Sequence, residues 1–162
     1  MPPNLIDIEA SGLAIDSYPI EIALSINAKI HSWLIKPDRR WQYWDKTAER
    51  LHGITRDTLL ADGIEANLVV DAIDRVMATS DGLLYSDAAA WDADWMATLY
   101  HAVGAVPNFH ILPVDDLLSD KQQTMFWKKL KEVADSGQYR LHRAEQDVRI
   151  LQKALRFAME TK

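Results

Sequence analysis

Cysteine is absent from this 162-residue chain, which excludes disulfides and thiolate metal sites and fits a reducing compartment. No apolar run is long enough to span a bilayer. The opening residues, MPPNLIDIEASG, lack the basic stretch and apolar core of a signal peptide, so a cytoplasmic location without a membrane partner is expected. Basic residues are in deficit, 18 against 24 acidic ones, for a net charge of −6. That balance argues against a non-specific DNA coat but leaves a nucleic-acid enzyme open. Repeats, low-complexity tracts and long linkers are missing as well, so one domain over residues 1–162 is expected.

What is present is an ordered series of strand and helix signals. In LIDIEA, period-two alternation sets Ile6 and Ile8 on one face and Leu5, Asp7 and Glu9 on the other. YPIEIALSINAK alternates strictly, with Ile20, Ile22, Leu24 and Ile26 opposite Glu21, Ala23, Ser25 and Asn27. KIHSWLIKP follows after a very short connection, which predicts a hairpin ending at Pro37. Residues 38–59 read as a loop turning helical. Beyond them, EANLVVDAIDRVMATS, WDADWMATLYHAVG, KQQTMFWKKLKEVADSG and HRAEQDVRILQKALRFAMETK read as helices, and GLLYS and NFHILPV as strands. Strands interleaved with helices predict an α/β sheet covered by helices.

Acids stand where apolar residues are expected. Composition alone supplies roughly 0.7 Asp-x-Glu pairs in such a chain, so the weight of Asp7 and Glu9 comes from their place on a short apolar strand. Asp92 opens the apolar face that continues through Trp95, Met96 and Leu99, where a helix N-terminal acid is the plainer reading. Asp147 borders the apolar stripe of the last helix, five residues after His142. That spacing discriminates poorly, because His52–Asp57 and His110–Asp115 share it. Asp94 reads as solvated, and Asp87 as a loop acid or helix cap.

Four converging carboxylates need cations, and oxygen-rich sites suit Mg²⁺ or Mn²⁺. Two such ions roughly 3.5–4 Å apart can support phosphodiester hydrolysis. A histidine side chain ionises near neutral pH and can take the proton of the attacking water.

With these residues in view, the chain resembles the DEDDh 3′–5′ exonucleases, the DnaQ-like proofreading and RNA-trimming nucleases. DIEASGL resembles their first motif, D-I-E-T-T-G-L, and LHGITRDTL their H-G-I-T landmark. AAWDADWM resembles the second acidic motif and HRAEQDVR the third, with the order and spacing of all four in agreement. The resemblance covers nearly the whole chain. It implies an RNase H-like fold with a mixed five-stranded sheet flanked by helices. It also implies two metal ions, Mg²⁺ or Mn²⁺, held by Asp7, Glu9, Asp92 and Asp147, with His142 as general base. Gly12 and Leu13 would lie against the terminal nucleotide, His52 would help form the same pocket, and Trp91 stands at the family's Phe position as a further substrate contact. The second motif departs from H-N-x-x-F-D: Asp87 and Ala88 replace its His and Asn, removing an amide and adding a charge.

The expected activity is metal-dependent 3′–5′ removal of nucleoside 5′-monophosphates from single-stranded RNA or DNA 3′ ends. The alternatives are a DNA proofreading or repair exonuclease, and a degenerate nucleic-acid-binding module of the same fold. The chain stops soon after the last motif helix, which favours a free-standing enzyme, with a homodimer as one option for its assembly. In KPDRRWQYWDK, cations alternate with Trp41, Tyr43 and Trp44; that pattern suits either base stacking beside phosphate contacts or aromatics covering a core edge or subunit contact. Lys121, Lys128, Lys129 and Lys131 read as a solvated helix face.

Overall fold

Alternation along the first two strands separates two cores. The computed structural model describes residues 1–161, and in it β1 (Leu5–Ala10), β2 (Pro19–Ile26) and β3 (Lys29–Leu34) form an antiparallel meander. Its second turn places Asn27 and Ala28 at φ 50° and 67°, the left-handed pair that a two-residue hairpin requires. β4 (Leu83–Ser86) runs parallel to β1, and β5 (His110–Pro113) parallel to β4, giving the order β3-β2-β1-β4-β5. The result is a mixed five-stranded α/β sheet flanked by helices, of the RNase H-like kind.

Between β3 and β4 the chain makes three helices, where the sequence reads as a loop turning helical and then one helix. They are α1 (Lys46–His52), α2 (Arg56–Asp62) and α3 (Ala66–Met77). Asp45 caps α1 by accepting from the Thr47 N–H at 2.8 Å, and Gly53 at φ 70° ends it. Thr55 then caps α2. Two helices of seven residues each are too short for a hydrophobic period to register. The remaining helices are α4 (Ala89–Ala102), α5 (Asp120–Asp135) and α6 (Ala144–Glu160), with a short 3₁₀ turn at Val114–Leu117. No helix among the described residues is long and apolar enough to cross a membrane.

Ile6 and Ile8 of β1 and Ile20, Ile22, Leu24 and Ile26 of β2 pack with α3 and α4, through Val69, Ile73, Met96 and Leu99 among others. On the opposite face Leu5 and Ala23 meet Phe126 of α5 and Val148, Leu151 and Leu155 of α6. Every residue of β2 is buried, because both faces are covered.

The aromatic segment belongs to the core edge. Trp41 is buried and stacks on Tyr18 at 5.2 Å, while Arg56 donates to both the Tyr18 hydroxyl and the Trp41 carbonyl. Trp44 donates to Glu49 and meets His52 edge-on. Of the two readings of this segment, the core-edge one describes Trp41 and Trp44. On α5, Lys131 is exposed and pairs with Asp135 as a solvated face would, whereas Lys129 is only 21% exposed, pairing with Glu132 and lying over the Phe157 ring of α6 at 4.8 Å.

Candidate active site

β1 and β4 run parallel, so their carboxyl ends open on one side of the sheet, where α/β proteins commonly bind ligands. Asp7 and Glu9 lie toward that end of β1, and α4 begins just after β4. Ala88 starts α4 without a side-chain cap. Ser86 takes over: its Oγ accepts from the Ala88 N–H at 2.8 Å and donates to Asp92 Oδ2 at 2.6 Å. Asp92 is thereby held buried in the first turn of α4, while Asp94 is exposed.

The fourth acid, Asp147, comes from α6, and its neighbours are close. Glu9, His142 and Asp147 each offer a ligand atom within 4.8 Å of the others. His142 is exposed and left-handed, at φ 60°. The structure therefore gathers Asp7, Glu9, Asp92, Asp147 and His142 from β1, α4, α6 and the turn before α6.

Their electrostatics are those of an acid cluster lacking countercharge. Burial raises the Asp7 carboxyl well above the usual carboxylate range, and the charges of Asp92, Glu9 and Asp147 raise it further. Burial, with Asp147 alongside, pushes Glu9 up to about 9. Asp92 is pushed up to about 8 by burial against the Ser86 hydrogen bond, and Asp147 to about 6 by burial against its contacts with Glu9 and His142. Asp7 Oδ2 is buried with no hydrogen-bond partner. An orphaned carboxylate oxygen among further carboxylates and one imidazole fits a hard divalent cation.

A stability prediction follows for protein kept in chelator. The folded state binds protons at these acids more tightly than the unfolded chain, where carboxylates titrate near about 4. Stability should then decline as pH rises from that range toward about 9, the value for Glu9, and Mn²⁺ should restore most of it at the alkaline end. Thermal melts between those limits, with and without Mn²⁺, measure this. A melting temperature in chelator that stays level or climbs would contradict it.

Beside Glu9 and His142 lies a cavity of about 210 Å³ lined also by Gly12, Leu13, His52 and Trp95. Gly12 is required there sterically, since a Cβ on it would sit 2.6 Å from Tyr43 Cε1. Leu13 is exposed at the rim. His52 is buried; its Nδ1 accepts from the Ile54 N–H at 3.0 Å, which leaves the proton on an unpartnered Nε2. Burial lowers the His52 pKa and keeps the ring neutral. Trp91 does not line the cavity but stacks at 5.5 Å on Trp95, which does. Asp87 is an exposed loop acid rather than the helix cap.

Ser86, Glu21 and Arg143 were not visible as site residues in the sequence. Glu21 is nearly fully buried, lies in register with Glu9, and is paired with Arg143 at 2.7 Å. Its one sequence signal is a carboxylate on a strand face otherwise lined by Ala23 and Ser25.

No protein-family model matches the sequence, and no curated protein is similar to it by sequence. Solved structures are similar in fold. E. coli exonuclease I in complex with a dT13 oligonucleotide superposes with a TM-score of 0.76 at 12% identity, over 98% of this chain. The zinc-bound form of the E. coli enzyme with single-stranded DNA gives 0.79 at 12% identity over 98%. Exonuclease I from Methylocaldum szegediense gives 0.74 at 14% identity, again over 98%. The chain spans 40% of the length of each of these proteins. At these identities the likeness is one of fold, an RNase H-like α/β sheet shared with exonuclease I.

Proposed function

We propose that this chain is a metal-dependent 3′–5′ exonuclease of the DEDDh kind, releasing nucleoside 5′-monophosphates from the 3′ end of single-stranded nucleic acid. The observation that carries this reading is the convergence of Asp7, Glu9, Asp92 and Asp147 with His142 at one end of a sheet shared with exonuclease I. Residues 1–162 form one domain of this kind. Single-stranded DNA is the first substrate to try, because the similar structures hold such oligonucleotides. Single-stranded RNA is the second.

Asp7, Glu9, Asp92 and Asp147 would hold two divalent ions, Mg²⁺ or Mn²⁺, which when bound supply positive charge against the acids and the scissile phosphate. The terminal nucleoside would enter the cavity edged by Gly12 and Leu13, with His52 Nε2–H as a donor and Trp91 on its outer side. His142 would accept the proton of the attacking water. Water oxygen would bond to phosphorus as the P–O3′ bond breaks, and the leaving O3′ would take a proton from solvent. The products are a nucleoside 5′-monophosphate and a strand one residue shorter with a free 3′-hydroxyl.

A second reading has one observation in its favour. Ala88 cannot provide the amide expected at that position, and α4 starts without a side-chain cap. A binding module that kept the fold without turnover would tolerate this. Short 5′-labelled DNA and RNA strands, incubated with Mg²⁺, Mn²⁺ or chelator and resolved by length, separate the two. A metal-dependent ladder shrinking from the 3′ end is expected. Intact strands under every condition, with Mn²⁺ bound, would leave the binding module as the reading.

A further inference from the structure

We propose that Glu21 is a positioning residue for this site, holding the His142 turn and the first turn of α6 against β1 through Arg143 and the Ala144 N–H. The inference rests on the exonuclease reading for what is positioned; the clamp itself is a matter of geometry.

Glu21 lies on β2, directly across from Glu9 on the central strand β1, and is 5% exposed. Its side-chain hydrogen bonds all go to the two residues that follow His142. Oε2 accepts from Arg143 Nη2 at 2.7 Å, and Oε1 accepts from Arg143 Nε at 3.1 Å and from the Ala144 N–H at 2.8 Å. No side chain of the local segment caps α6, so the cap comes from β2. Asp147 sits one turn further along, with its N–H bonded to the Arg143 carbonyl at 2.9 Å.

The turn thus held is a strained one. His142 has φ 60°, a conformation that a residue with a Cβ keeps only where its surroundings impose it. The same turn is tied on its other side, where Arg140 Nη2 donates to the His52 carbonyl at 3.1 Å. Arg143 lies near enough to Glu9 to feel its charge. Without Glu21, the guanidinium would turn to Glu9, a carboxylate that the metal needs. Glu21 therefore has two effects: it sets where His142 and Asp147 stand, and it keeps Arg143 off Glu9.

Glu21→Gln retains the shape and the acceptor for Ala144 but drops the charge, and Arg143→Lys retains the charge but drops the fork. Both are to be compared with the native chain by thermal melt, Mn²⁺ calorimetry, steady-state kinetics on a short DNA strand, and NMR of the His142 ring and Asp147 amide. Both variants should fold, with kcat and Mn²⁺ affinity each down roughly 10- to 100-fold, KM little changed, and the His142 and Asp147 signals shifted. A lower melting temperature with native kcat, Mn²⁺ affinity and His142 signals would make the clamp merely structural and overturn the proposal. If the native chain neither cleaves nor binds Mn²⁺, the exonuclease reading fails separately. The NMR signals then decide the clamp: shifted resonances uphold it, unmoved ones reject it.

Discussion

Replacing Asp7 with asparagine is expected to raise the melting temperature in chelator, abolish the stabilisation that Mn²⁺ gives the native chain, and remove nuclease activity. The gain in chelator arises because Asp7 Oδ2 is buried without a partner and the charges of Asp92, Glu9, Asp147 and Asp87 oppose its own. Asparagine keeps the shape, loses the charge and can donate to a neighbouring carboxylate. The folded-state pKa of Asp7 is raised, so the cost it imposes is present above the unfolded carboxylate range and vanishes below it. The advantage of the variant should therefore be large in alkaline buffer and gone near about pH 3.

Metal reverses the comparison. A ligand bound only by the folded state at a hundred times its Kd contributes about 2.7 kcal/mol. For a domain of this size that corresponds to roughly 5–10 °C in Tm. The native chain should show a shift of this order with Mn²⁺, and the Asp7→Asn and Asp147→Ala chains almost none. Melts with and without Mn²⁺ at fixed pH measure it; equal shifts in native and Asp7→Asn chains would remove Asp7 from the ligand set.

Loss of the His142 imidazole should separate proton transfer from metal binding. His142→Asn is the informative variant, because asparagine tolerates the left-handed backbone that this position adopts. A general base of this type contributes about 10²- to 10⁴-fold, so kcat should fall by that factor while Mn²⁺ affinity measured by calorimetry stays close to native. The geometry makes the test pointed, since His142 offers a ring nitrogen within 4.8 Å of ligand atoms of both Glu9 and Asp147. If Mn²⁺ affinity collapses as in Asp147→Ala, the imidazole is a metal ligand rather than a base.

Much of the fold could be read locally. The alternation of Ile6 and Ile8 against Leu5, and of Ile20 to Ile26 against Ala23, assigns each side chain to the core that it occupies. A strand's period of two decides this before any partner is known. The break between α1 and α2 was harder, because each helix makes only about two turns and Gly53 ends the first. The acids were visible as charges in apolar places, but whether they meet depends on the parallel pairing of β1 and β4 and on where α6 begins.

By itself, then, the sequence determined the strand faces, the two-sided burial to be expected of a helix-covered sheet, and the candidates Asp7, Glu9, Asp92, Asp147 and His142. The tertiary structure decided which polar side chains hold them. Ser86 fastens Asp92 through a bond that only the entry into α4 creates. Glu21 looked like the polar side of a strand, yet it is buried and bonded to a guanidinium 122 residues away. The same holds for the aromatic segment, where the stack of Trp41 on Tyr18 turned a pattern open to two readings into a core edge. The physical reason is the same throughout: periodicity is set by neighbours along the chain, whereas the partner of a buried charge or ring is set by topology.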